Sequence, residues 1–197
     1  MRPGTTLASQ RLRAASAAQR LSARPAPRTA TLWLSTAARA RTRARALTLE
    51  LSLAGGPPLL VLALHRPYAS SGHAPAERAF IAAWQAAFDA HVALLLARSP
   101  LVVVCGDFNA CLQGDSPEER RIFAPLTSRR FADALAGTSE AGWPTQYPAS
   151  SRFAFLRIDY IFVSEALRGR VVPGSGRVLS QGAPRGDHVP VEITLAF

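Results

Sequence analysis

From Ala46 to Leu53 the chain alternates. Leu47, Leu49, Leu51 and Leu53 fall on one side, Thr48, Glu50 and Ser52 on the other. A period of two predicts a half-buried strand. Ala-Gly-Gly-Pro-Pro (54–58) is a turn, and the apolar run Leu59 to Leu64 ends at His65, so the pair reads as a β-hairpin. The period then changes. Phe80, Trp84, Phe88, Val92 and Leu96 recur every four residues, with Ile81 and Leu95 beside them. This predicts a helix over 75–98, with Pro75 and Glu77 in its first turn, Arg98 in its last and Pro100 as its stop. Leu101 to Cys105 is short, apolar and β-branched, the pattern of a strand buried on both faces. It stops at Gly106, and Asp107 and Asn109 follow.

Further on, Ser116 to Thr127 reads as a short helix with Ser116 as N-cap, Pro117 at its first position and Glu119 placed for a capping box. Residues 136–152 are Gly-, Ser- and Pro-rich loop. Phe155 to Ser164 reads as a strand, with Arg157, Asp159 and Ile161 on one face and Ile158, Tyr160 and Phe162 on the other. Val171 to Leu179 is a further strand candidate, and Gly186 to Leu195 is an Asp-His pair followed by an alternating strand. Strand, helix, strand is a crossover unit, and an antiparallel hairpin precedes it. The expected class is α/β (α+β), with a mixed sheet and flanking helices.

Composition divides the chain. Residues 1–49 hold ten arginines and no acid, while 50–197 hold thirteen arginines and thirteen acids, so the net charge of +10 sits in the first quarter. The body is neutral, which weakens any inference from charge to nucleic-acid binding. Residues 1–31 are set apart as a basic segment, with 32–197 as the folded domain. The first segment has the composition of an organellar transit peptide; a disordered leader fits it equally. No apolar run approaches the ~18 residues of a membrane span, so no transmembrane segment is expected. Cys105 and Cys111 are too few for a disulfide framework and read as free thiols, compatible with an intracellular setting.

Polar candidates fall where apolar runs break: His65, Asp107 with Asn109, Arg157 with Asp159, and Asp187 with His188. Gly-Asp-x-Asn alone could be a turn, and Asp187-His188 likewise. Together they supply two histidines and three carboxylates. That set suits phosphodiester hydrolysis: an oriented His-Asp pair for acid–base work, carboxylates for Mg²⁺, an amide for a phosphate oxygen.

Gly106-Asp-Phe-Asn109, Arg157-Ile-Asp-Tyr-Ile-Phe162 and Gly186-Asp-His-Val-Pro-Val191 resemble three successive motifs of the endonuclease/exonuclease/phosphatase superfamily, over roughly residues 45–197. Ala63-Leu-His65 resembles the strand-end histidine of its deoxyribonucleases, and Thr145 falls where many members carry a threonine. The resemblance implies a four-layered α/β sandwich and a divalent cofactor, Mg²⁺ or Mn²⁺. It implies that Asp107 orients or deprotonates the attacking water and that Asn109 holds the phosphate. Asp159 would orient His188, the general base or transition-state stabiliser. His65 would sit near the leaving group, Asp187 beside the metal, and Tyr68 and Arg157 against substrate. That substrate would be a phosphodiester in a nucleic acid, a small molecule or a lipid headgroup.

Two departures stand out. Gly186 replaces the family's usual serine. The family's opening strands, one carrying an Asn and one ending in the Gln-Glu that supplies the principal Mg²⁺ ligand, have no counterpart, and Leu32-Trp-Leu-Ser35 resembles only their tail. We therefore expect a sheet with exposed apolar faces, weak Mg²⁺ binding and slow hydrolysis. The alternative is a non-catalytic remnant acting as a binding module.

Overall fold

The computed structural model describes residues 29–34, 46–53, 55–68, 74–112, 117–146, 156–179 and 187–197. The predicted hairpin is β2 (Ala46–Leu51) and β3 (Leu59–His65), paired antiparallel with Leu51 opposite Leu59. Helix α1 spans Pro75–Arg98, as its spacing and stop signals dictate. It crosses to β4 (Val102–Asp107), which lies parallel to β3 and is buried throughout. Helix α2 is Pro117–Thr127; its expected cap, Ser116, lies outside the described residues. Then come a two-residue strand β5 (Ala132–Asp133), β6 (Asp159–Val163), a 3-10 turn (Glu165–Arg170), β7 (Arg177–Val178) and β8 (Val191–Ala196).

The main sheet runs β2-β3-β4-β6-β5 and is mixed, as the crossover and the hairpin together require. A smaller sheet runs β1-β8-β7, where β1 (Thr29–Leu34) pairs antiparallel with β8, so its first three residues come from the segment set apart as basic leader. Alternation sorts the main sheet's side chains into two cores. Leu60, Leu62, Leu64, Val102, Val104, Tyr160 and Phe162 face α1 and α2, where Phe108 and Phe123 complete an aromatic cluster. Leu59, Val61, Val103, Cys105, Ile161 and Val163 face the small sheet's Val191, Ile193 and Leu195.

Four expectations change. The leucine side of β2 is not buried: Leu47, Leu49 and Leu51 are 59%, 46% and 38% exposed, while Thr48 bonds His91 on α1. Strand β6 starts at Asp159, so Arg157 precedes it and does not share its face. The segment 171–179 forms only β7 and a lone bridge from Val171 to Leu195; Gly174 and its turn interrupt it. By length and mean hydropathy, 1.5 over its most apolar window, α1 passes for a membrane span, because its many alanines raise the average. It serves here as the crossover between two paired strands, with Phe88, Val92 and Leu95 buried.

Candidate functional site

Strands β3, β4 and β6 set three polar residues in one row. His65 is the register partner of Asp107, and Asp107 that of Asp159. Each continues the strand positions that face the small sheet: His65 after Val61 and Ala63, Asp107 after Val103 and Cys105, Asp159 before Ile161 and Val163. The row therefore closes one end of the space between the sheets. Gly106 permits it. At φ +134° it takes a backbone few other residues adopt, and a Cβ there would meet the Leu64 carbonyl oxygen at 1.9 Å.

The bonds run along the row. His65 Nε2 lies 3.5 Å from Asp107 Oδ2. Asn109 holds Asp107 from the other side: its backbone N–H donates to Oδ1 at 2.7 Å and its side-chain Nδ2 to Oδ2 at 3.2 Å. Nδ2 also donates to the Arg66 carbonyl at 2.8 Å, so both amide hydrogens are committed. Asn109 sits at φ 47°, a conformation asparagine tolerates better than most residues. Asp159 Oδ2 bonds His188 Nδ1 at 2.8 Å, which leaves Nε2 for chemistry. Thr145, fully buried, fixes this pair. Its hydroxyl accepts the backbone N–H groups of Ile158 and Asp159, and its carbonyl accepts that of Val189.

Charges are crowded. Burial raises the Asp107 carboxyl, and the facing Asp159 adds to it, to about 7 against the opposing pull of the Asn109 N–H and His188. Burial alone would lower the His188 imidazole; its bond to Asp159 and the charges of Asp159, Asp107 and Asp187 outweigh that and lift it to about 9. Asp187 itself is exposed.

Arg157 is not bonded to the row. Its Nη1 and Nη2 clamp Asp133 at 2.8 and 2.7 Å, Nη1 also donates to the Ala141 carbonyl, and the guanidinium lies 4.5 Å over the Tyr160 ring. Tyr68 is half-buried in the loop after His65. Sequence reasoning overlooked Arg66, buried beside Asp107; the signal was an arginine wedged between an apolar strand and Pro67. Among the described residues, no three His, Cys, Asp or Glu side chains gather as a cation site. Asp187 is exposed, and its charge reaches Asp107 and His188 without joining them in such a cluster, so these residues do not by themselves fit a divalent ion.

The model of the Endonuclease/Exonuclease/phosphatase family matches residues 21–180. Among solved structures, the chain is similar to the 3′ phosphatase NExo from Neisseria bound to product DNA hairpin, with TM-score 0.63, 20% identity, and 85% of this chain and 70% of that one covered. It is similar to the 3′-5′ exonuclease NExo from Neisseria meningitidis, with TM-score 0.61, 21% identity and 85% and 71% covered. An AP endonuclease from Archaeoglobus fulgidus aligns with TM-score 0.57, 16% identity and 75% and 64% covered. No curated protein matches the chain. The match spans most of the sequence: the chain belongs to the Endonuclease/Exonuclease/phosphatase family.

Proposed function

We propose that this chain hydrolyses a phosphate ester in a nucleic acid. The observation that supports it best is the row His65–Asp107–Asp159 with His188 bonded to Asp159. Two groups in it are pushed toward opposite roles, the usual mark of an acid–base pair. Asp107, raised toward neutrality, orients the attacking water and accepts its proton. His188, lifted above its ordinary range, is an imidazolium at neutral pH; it stabilises the phosphoryl charge or protonates the leaving oxygen. Asp159 positions that imidazole, and His65 stands beside the water-activating carboxylate. Neighbours of similar fold that act on DNA favour a nucleic acid over a lipid headgroup. The family generally uses divalent metal ions, and the described residues offer no ligand cluster for one, so the roles above fall to the chain's own side chains.

The test is hydrolysis of bis(p-nitrophenyl) phosphate and of an oligodeoxynucleotide bearing a 3′-phosphate, with Mg²⁺, with Mn²⁺ and with chelator. Turnover should fall roughly 10²-fold or more in His188→Ala. Turnover unchanged by that substitution would sink the proposal. A second reading, a binding module, is favoured by the commitment of both Asn109 amide hydrogens within the chain. Oligonucleotide binding without turnover, in folded protein, would decide for it.

A further inference from the structure

Among the described residues, large apolar side chains are exposed on β2, on α1 and just ahead of β6, where Trp143 is 43% and Leu156 38% exposed. The bonds around Trp143 fix where it stands. Two residues before it, the Ala141 carbonyl accepts from Arg157 Nη1 at 2.8 Å. Two residues after it, the Thr145 hydroxyl accepts from the N–H groups of Ile158 and Asp159, at 3.0 and 3.1 Å. Arg157 lies over the Tyr160 ring, on the helix side of the main sheet. Val189, which donates to the Thr145 carbonyl, lies in the core between the sheets. Residues 141–145 therefore pass over the end of β6 from one side of the sheet to the other, at the end where the row sits. Trp143 is the middle of that crossing, and two residues of chain span at most about 7 Å. Beyond Thr145, Gln146 bridges to His188 itself. The Leu156 carbonyl accepts the N–H groups of both Thr145 and Gln146, which sets the second exposed apolar residue on the same rim.

A cavity of about 100 Å³ lies beside this rim, lined by Gly142, Leu156, Arg157 and Cys111 among others. The rim is thus apolar, open to solvent and set against the row. The charge balance says what it could hold. Residues 50–197 carry thirteen arginines against thirteen acids, so a nucleic acid gains little there through its phosphates alone. Grip must come from another part of the nucleotide. Every nucleobase has a π face, and stacking on an aromatic side chain strengthens binding roughly five- to a hundredfold per base. A base inside a duplex has both faces covered by its neighbours. Only an unpaired or terminal base can turn one toward an exposed ring.

We propose that Trp143 stacks on a nucleobase next to the ester cleaved at the row, and that the substrate presents this base in a single-stranded segment or at an unpaired end. This rests on reading the row as a site for phosphate esters of nucleic acids. It deepens that reading by naming the form of the nucleic acid and a binding residue outside the motifs.

Two single-stranded oligomers of equal length are the probes, one of deoxythymidine and one with the same phosphates on base-free tetrahydrofuran units. Each is bound to the full chain with chelator present, at constant ionic strength, and followed by fluorescence anisotropy. The native chain should bind the base-bearing strand at least about fivefold more tightly than the base-free one. Trp143→Leu keeps apolar bulk and loses the ring; it should bring the two strands to equal affinity. Trp143→Phe, which restores a ring, should recover most of the preference. A preference for the base-bearing strand that persists in Trp143→Leu would overturn the assignment. Equal binding of both strands by the native chain would overturn it too. Both results leave the hydrolase reading to the His188→Ala turnover comparison on bis(p-nitrophenyl) phosphate, a substrate without a nucleobase.

Discussion

Strands β6 and β2 belong to one sheet and share one alternating grammar, yet they end in opposite circumstances. Every residue of β6 is buried: Tyr160 and Phe162 enter the aromatic cluster under the helices, while Ile161 and Val163 enter the core between the sheets. On β2, Leu47, Leu49 and Leu51 occupy the same side as Val61 and Leu59, their register partners, and are largely exposed. Its other side is tied to α1, through Thr48 to His91 and through Glu50 to Arg98 at 2.6 Å. Alternation decides which residues share a face. What covers that face is a separate, tertiary matter, and here the three-stranded sheet covers β6, β4 and β3 more fully than β2.

This contrast can be broken hardest at its centre. Gly106→Ala should cost on the order of 4 kcal/mol or more, because the new Cβ would overlap a backbone carbonyl that cannot move without parting β3 from β4. A denaturant midpoint within about 1 kcal/mol of native would contradict the close approach. Phe162→Ala should cost about 3–5 kcal/mol, since the ring is buried, stacks with Tyr160, meets Phe108 edge to face and packs at a tilt on Phe123. A loss below about 1.5 kcal/mol would mean that the cluster collapses readily around the hole.

A third measurement concerns pH. The His188 imidazole is raised in the folded state, so the stability it contributes is fully present below about 6.5 and is lost as pH rises through about 9. The melting temperature should therefore drift down by a few degrees over that window. Asp159→Asn should remove this drift, because burial alone pushes the imidazole the other way. Persistence of the slope in the variant would assign it to another group. The smallest effect belongs to β2: Leu49→Ser should change stability by no more than about 0.5 kcal/mol while reducing self-association in light scattering. A loss near that of Phe162→Ala would mean that the leucine face is covered after all.

The legible parts of the fold were those with local periodicity. Helix α1, the hairpin, β4 and the final strand follow from spacing and punctuation, and the antiparallel hairpin ahead of a crossover made a mixed sheet the expected outcome. Illegible parts depend on distant partners. Strand β5 has two residues and exists only because β6 offers an edge. Arg157 looked like a strand residue sharing a face with Asp159, but its partner is Asp133, 24 positions earlier. The candidate site was legible as isolated polar residues at the ends of apolar runs. Resemblance to a family, rather than spacing, joined Asp159 to His188. Arg66 escaped because an arginine in a loop reads as solvated until the fold encloses it.

The order of strands in the small sheet sets a schedule. Strand β8 lies between β1 and β7, and both of its partners precede it in the chain, β1 by about 160 residues. During synthesis neither can pair until β8 emerges, whereas the β2–β3 hairpin and its α1 crossover can form early from neighbouring segments. His188 arrives three residues ahead of β8. The last partner of the row is thus delivered by the same stretch that closes the second sheet, so the row cannot be completed on a nascent chain before that sheet begins to close.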